Sequence, residues 1–133
     1  MIRVGPAGWS YADWEGIVYP KPKPRGFHPL PFLAERFDCV EVNSSFYAMP
    51  RSENAERWAE LVQPFEHFRF LAKLHGDFTH GPHLEDSDYN ESTRQFREGI
   101  APLQEAGRLG GLLAQFPVTF RATRATAERV ERL

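Results

Sequence analysis

The 133-residue sequence predicts an α/β fold: a TIM-type (β/α)8 barrel, of which about the first four β/α units are present as a half barrel. Three observations lead to it. Strand-type and helix-type segments alternate four times, the pattern of a parallel sheet crossed by helices. The strand-type segments recur every ~30–40 residues, within the range of a βαβ unit. Alternate side chains within those segments separate into an apolar set and a set of small and charged groups.

The first predicted strand covers residues 2–7 and stops at the turn-former Gly8. Residues 9–31 form a long aromatic and proline-rich connection. There Pro20, Pro22 and Pro24 alternate with Lys21, Lys23 and Arg25, removing backbone donors and favouring extended geometry. A helix over 29–37 follows from Leu30, Leu33, Ala34 and Phe37 at three- and four-residue spacing. The second strand spans 39–43 and a loop spans 43–51. Ser52 is the expected N-cap of a helix reaching Val62, with Ala55, Trp58, Ala59 and Val62 as its apolar stripe. The third strand covers 68–74, and 76–88 reads as irregular, being rich in Gly, His and Asp. Asn90 or Ser92 opens a third helix that buries Phe96, Ile100 and Leu103, with a kink expected near Glu98 because Pro102 lacks an N–H. The fourth strand spans 109–116 and is halted by Pro117; a last helix begins at Thr123, with Ala127 and Val130 apolar.

Two architectures fit this grammar, an open doubly wound sheet and a barrel, and strand alternation chooses between them. Val40 and Val42 oppose Cys39, Glu41 and Asn43; Phe68, Phe70 and Ala72 oppose Arg69, Leu71 and Lys73; Leu112 and Ala114 oppose Gly111, Leu113 and Gln115. An open sheet would bury the polar side under apolar helices, whereas a barrel encloses it and exposes its carboxyl end to ligand. The barrel is therefore preferred. Its carboxyl-terminal inward residues would be Ala7, Asn43, Lys73 and Gln115, with Glu41 one layer deeper.

Composition sets outer bounds. The apolar fraction and eleven Phe exclude a disordered chain. No apolar run approaches the roughly 20 residues needed to cross a bilayer, and the N-terminal residues lack the basic-then-apolar pattern of a secretory signal. Cys39 is alone, so an internal disulfide is excluded and a cytoplasmic location is expected. A net charge of −2 provides no general attraction to nucleic acid or anionic lipid.

The segments Gly8-Trp9-Ser10-Tyr11 with Trp14, Gly16, Tyr19 and Pro20, and Glu41-Val42-Asn43-Ser44-Ser45-Phe46-Tyr47 with Pro50, resemble the YecE-like family of TIM-barrel proteins (domain of unknown function 72). Trp58, Phe70 with Lys73, Thr79-His80, and Leu109-Gly110 followed by Gln115-Phe116-Pro117 continue the resemblance in the same order. It implies a TIM-like barrel and leaves the reaction open. Family members usually carry the whole barrel, typically about 250 residues. This sequence is therefore expected to be either a truncated piece, inactive for want of half its ligand-contacting loops, or a half barrel that self-associates to complete the fold.

The candidate catalytic residues are Glu41, Lys73 and His80. A carboxylate and an amine enclosed in a barrel mouth can serve as general base and electrostatic stabiliser, and a desolvated Lys73 can form a Schiff base. The competing structural role for Glu41 is an ion pair with Arg69 or Lys73. His80 is a proton carrier or oxyanion ligand, a role the family resemblance favours. His75 and His83 read as exposed loop residues, and the histidine spacing does not suggest a metal.

Trp9, Tyr11 and Tyr47 carry polar tips and are candidates to stack on a ligand with Asn43, whereas Trp14 and Phe46 read as plugs anchoring the loops. Gln115 orients a polar ligand group or bonds backbone. The glycines form no phosphate cradle and no nucleotide fingerprint, and the sequence leaves the cofactor open. The leading expectation is an enzyme-type barrel acting on a small polar or phosphorylated substrate. The alternative is a nucleic-acid-binding module built from the aromatic loops and the Lys21, Lys23 and Arg25 arm, which the net charge opposes.

Overall fold

The computed structural model describes residues 2–81 and 85–133. Its elements, in chain order, are a 3-10 turn at Ala12–Trp14, α1 (Pro29–Ala34), β1 (Cys39–Val42), α2 (Ser44–Tyr47), α3 (Ser52–Leu61), β2 (Arg69–Lys73), α4 (Gly76–Thr79), α5 (Asp86–Glu105), β3 (Leu109–Leu113) and α6 (Arg124–Glu131). The three strands form one parallel sheet in the order β1-β2-β3.

Helices gather on one face of that sheet. Val40 and Val42 from β1 and Phe70 from β2 pack with Leu30 and Ala34 of α1, Ala55 of α3 and Leu103 of α5, all at most 2% exposed. A second cluster joins Ala72 to Phe78, Phe96 and Ile100. Removing so much aromatic and aliphatic surface from water is the main force holding the layers together. On the other face Glu41, Arg69, Leu71 and Lys73 are half-buried, so the expected division of faces is present in β1 and β2.

Residues 2–7 correct the first expected strand. They run beside β1, but a single parallel bridge, Ala7 with Glu41, forms there. Gly8 N–H donates to the Glu41 carbonyl at 2.9 Å and Glu41 N–H to the Pro6 carbonyl at 3.0 Å. Pro6 has no N–H with which to continue the ladder. Gly5 lies so close to β1 that a Cβ on it would sit 1.7 Å from the Cys39 carbonyl oxygen.

Other boundaries also shift. The segments 43–51 and 76–88, expected to be irregular, contain the one-turn helices α2 and α4 and the start of α5. α5 opens at Asp86 rather than Asn90 or Ser92, with Asp86 and Asp88 in the first turn, where carboxylates favour the positive end of the helix dipole. It continues through Pro102 to Glu105. Ser52 is the first residue of α3 rather than its cap. α1 is capped by His28, whose Nδ1 accepts from Leu30 N–H at 3.1 Å, and ends at Ala34, short of Phe37. Thr123 caps α6 reciprocally with Thr126. β3 ends at Leu113, and its pairing with β2 skips a residue between Leu109 and Gly111.

Candidate functional site

The carboxyl ends of β1 and β2 each turn directly into a short helix, so the polar residues of 43–47 and 73–80 meet there. Asn43 follows β1 immediately, in helical backbone geometry at the start of α2, and its side chain makes no capping bond. Ser45, 1% exposed, places its Oγ 2.7 Å from the Val42 carbonyl oxygen and 2.6 Å from that of Lys73. One hydroxyl proton is shared between two strand ends, clamping β1 to β2.

Phe46 is the centre of the arrangement. Lys73 Nζ lies 4.7 Å from its ring centroid, a cation–π contact. The His80 and Tyr47 rings meet it edge-on at 4.9 and 5.0 Å. His80 is exposed, and its Nδ1 is 2.9 Å from the buried Thr79 hydroxyl. Phe46, read from sequence as a plug, thus gathers Lys73, His80 and Tyr47 around one ring. Its place one turn after a strand end, between Ser45 and Tyr47, was the available clue.

A cleft of about 240 Å³ opens beside this group, lined by Gly8, Trp9, Ser10, Tyr11, Asn43 and Ser44. Tyr11 donates its hydroxyl to the Ala7 carbonyl. Trp9 reaches the cleft, but its ring packs edge-on against Trp58 at 5.2 Å and near Phe70 at 6.4 Å, so it belongs equally to the core. Trp14 stacks between Tyr11 and Tyr19 as an anchor. The Tyr19 hydroxyl donates to the Trp9 carbonyl at 2.7 Å, and burial pushes its pKa up to about 12. That phenol stays protonated and holds the loop.

Glu41 is half-buried on the face away from the helices. The ion pair with Arg69 or Lys73 is not formed: Arg69 instead donates to the carbonyls of Glu66 (2.6 Å) and Phe68 (2.9 Å), and among the described residues Glu41 has no side-chain partner. Gln115 is exposed, two residues past β3, and lies outside both the cleft and the Phe46 group. Tyr47, 79% exposed, also lies outside the cleft.

His75 is not merely exposed. Half-buried, it caps α4 by accepting from Asp77 N–H at 3.3 Å. His83 lies outside the described residues. Lys23 of the basic arm pairs with Glu15, which leaves the arm with less free charge than its sequence suggests. Among the described residues no group of three or more His, Cys, Asp or Glu is placed to hold a metal ion, and no helix is long and apolar enough to cross a membrane.

The model of the family "Protein of unknown function DUF72" matches residues 3–133. The chain belongs to the DUF72 family. Among DUF72 relatives it is similar to UPF0759 protein YecE of Escherichia coli strain K12, 32% identical over 120 residues covering 90% of this chain and 39% of the relative. It is similar also to UPF0759 protein YunF of Bacillus subtilis strain 168, 31% identical over 90% of this chain and 41% of the relative. The crystal structure of a DUF72 family protein from Thermotoga maritima MSB8 matches with a TM-score of 0.69 at 30% identity, over 99% of this chain and 50% of that one. One from Enterococcus faecalis V583 matches at 0.66 and 28% identity, over 77% and 41%. The chain therefore spans about two fifths of the length of the curated relatives it matches.

Proposed function

We propose that this DUF72 chain is half of an enzyme-type (β/α)8 barrel that binds a small polar or phosphorylated ligand at the carboxyl ends of its strands. The layering supports the barrel. The segment 2–7, β1, β2 and β3 lie side by side in chain order, and α1, α3 and α5 cover the same face. A doubly wound sheet reverses its strand order and carries helices on both faces; a barrel does neither.

One observation carries the functional reading. Glu41 and Lys73 stand on the uncovered face, half-buried, and among the described residues neither has a protein counter-ion. Charges held partly out of water without a counter-ion are costly, so a ligand of complementary charge is the natural occupant. Lys73 and His80 would meet an anionic group, Asn43 and Tyr11 would orient it, and Glu41 would exchange a proton with it. Gln115 would enter only if the segment after β3 folds inward.

Titrating inorganic phosphate into the 15N-labelled chain tests this. The amide signals of Asn43, Lys73 and His80 are expected to move together, and Lys73→Met to abolish the movement. Equal movement in that variant, or movement confined to other residues, would overturn the assignment.

A further inference from the structure

The geometry points to a monosaccharide phosphate as the ligand, its sugar ring in the cleft between Gly8–Tyr11 and Asn43–Ser44 and its phosphate on Lys73 and His80. The inference rests on the anion site proposed above and adds the chemistry of the rest of the molecule bound there.

The cleft lies at the carboxyl ends of two segments already bridged within this chain, Ala7 to Glu41, so its walls are built without an open sheet edge. Tyr11 forms a fixed wall. Its hydroxyl donates to the Ala7 carbonyl, and its ring packs on Trp14 at 4.9 Å. Gly8, at φ +86°, leaves room for the phenol, where a Cβ would come within 2.7 Å of Oη. With its hydroxyl spent, Tyr11 offers a ligand ring carbon that is held in place before binding. Trp9, braced by Trp58, adds more of the same apolar surface.

Three neutral polar side chains, Ser10, Asn43 and Ser44, stand around that surface, and among the described residues none of them has a hydrogen-bond partner in the protein. Hydroxyl and amide groups both donate and accept, as sugar hydroxyls do, whereas a carboxylate only accepts and an ammonium only donates. A sugar ring pairs an apolar C–H side with a rim of hydroxyls, which matches an aromatic wall edged by such groups. A volume of about 240 Å³ suits one such ring and is small for a dinucleotide or an oligosaccharide.

The charged end is within reach. Ser44 and Phe46 are two residues apart, at most about 7 Å between their Cα atoms. The Phe46 ring carries Lys73 Nζ at 4.7 Å and the His80 ring at 4.9 Å. A ring in the cleft thus directs an exocyclic phosphate toward Lys73. No charged side chain lines the cleft itself, so the two parts of the site sort the two ends of the ligand.

Ribose 5-phosphate, glucose 6-phosphate and inorganic phosphate, titrated separately into the 15N-labelled chain, test this. The sugar phosphates should move the amide signals of Ser10, Tyr11 and Ser44 together with those of Lys73 and His80. At least one should bind about ten times more tightly than inorganic phosphate, the worth of one or two hydrogen bonds. Tyr11→Ala should lower that ratio several-fold. Should that chain not fold, the exposed Ser10 decides, Ser10→Ala being expected to lower the ratio about threefold. Sugar phosphates that bind no more tightly than inorganic phosphate, or a ratio unchanged in these variants, overturn the inference and leave the anion site standing. Tighter binding of adenosine monophosphate than of ribose 5-phosphate also overturns it, since a base would then fill the cleft. Silence of Lys73 and His80 toward every one of these compounds defeats the anion site itself, and the sugar inference with it.

Discussion

The two faces of the sheet are built from the same three strands and obey different rules. On the helix side, Val40, Val42, Phe70 and Ala72 are at most 2% exposed and interlock with four helices. On the other side, Glu41, Arg69 and Leu71 are half-buried although α1, α3, α4 and α5 lie on the opposite face, and Lys73 is half-buried against Phe46 of α2. Stability is thus invested in one face, and the other is free to carry groups chosen for chemistry. Substitutions should divide the same way, with large costs on the first face and small ones on the second.

The largest expected effect is Phe70→Ala. Phe70 touches Trp9, Trp58 and Phe68, so truncation should cost about 3–5 kcal/mol in urea denaturation. Gly99→Ala comes next. Alanine ordinarily improves a helix interior by about 1 kcal/mol over glycine. Here its Cβ would lie 2.1 Å from the Pro50 carbonyl oxygen, in the contact between α5 and the loop before α3. A net loss of about 1–3 kcal/mol is expected; a more stable variant would show that this contact yields easily.

Periodicity located α1, α3 and α5 and the strands β1 to β3, because each buries a recurring set of side chains. It could not find α2 or α4, since one turn is too short to display a period. It misjudged residues 2–7, where alternation looked right but Pro6 cannot donate and Gly5 packs against the Cys39 carbonyl. The site was legible in part: strand alternation placed Glu41 and Lys73 on one face. It said nothing of Phe46 gathering Lys73 and His80, because that contact depends on α2 folding back over the end of β2.

A smaller effect concerns His28 on the helix side. Burial, followed by the nearby Arg57, holds its pKa below 6.5, and it is the neutral Nδ1 that caps α1. The unfolded chain takes up the proton first as pH falls. The stabilisation is therefore complete above about 6.5 and is lost on acidification through the folded pKa. His28→Asn keeps an acceptor without titrating, so urea midpoints at pH 7.5 and 5 should differ less in this variant than in the parent. An equal difference would remove His28 as the cause.

The smallest effect should come from the open face. Glu41→Gln removes a half-buried charge that has no side-chain partner, so stability should hold or rise slightly, by up to about 0.5 kcal/mol. A loss of several kcal/mol would mean that this carboxylate supports the fold, and the contrast between faces would fail.

The skipped residue at Gly110 has an implication for which length changes this protein can absorb. Phe70 pairs with Leu109 and Leu71 with Gly111, leaving Gly110 opposite nothing. That surplus position keeps Leu112 level with Ala72 on the helix side. Deleting Gly110 would simply regularise the ladder, whereas deleting a residue later in β3 would turn its remaining side chains inside out. Natural variants one residue shorter should accordingly lose it at this spot, and the same spot is where a designer could shorten the strand without exchanging its two sides.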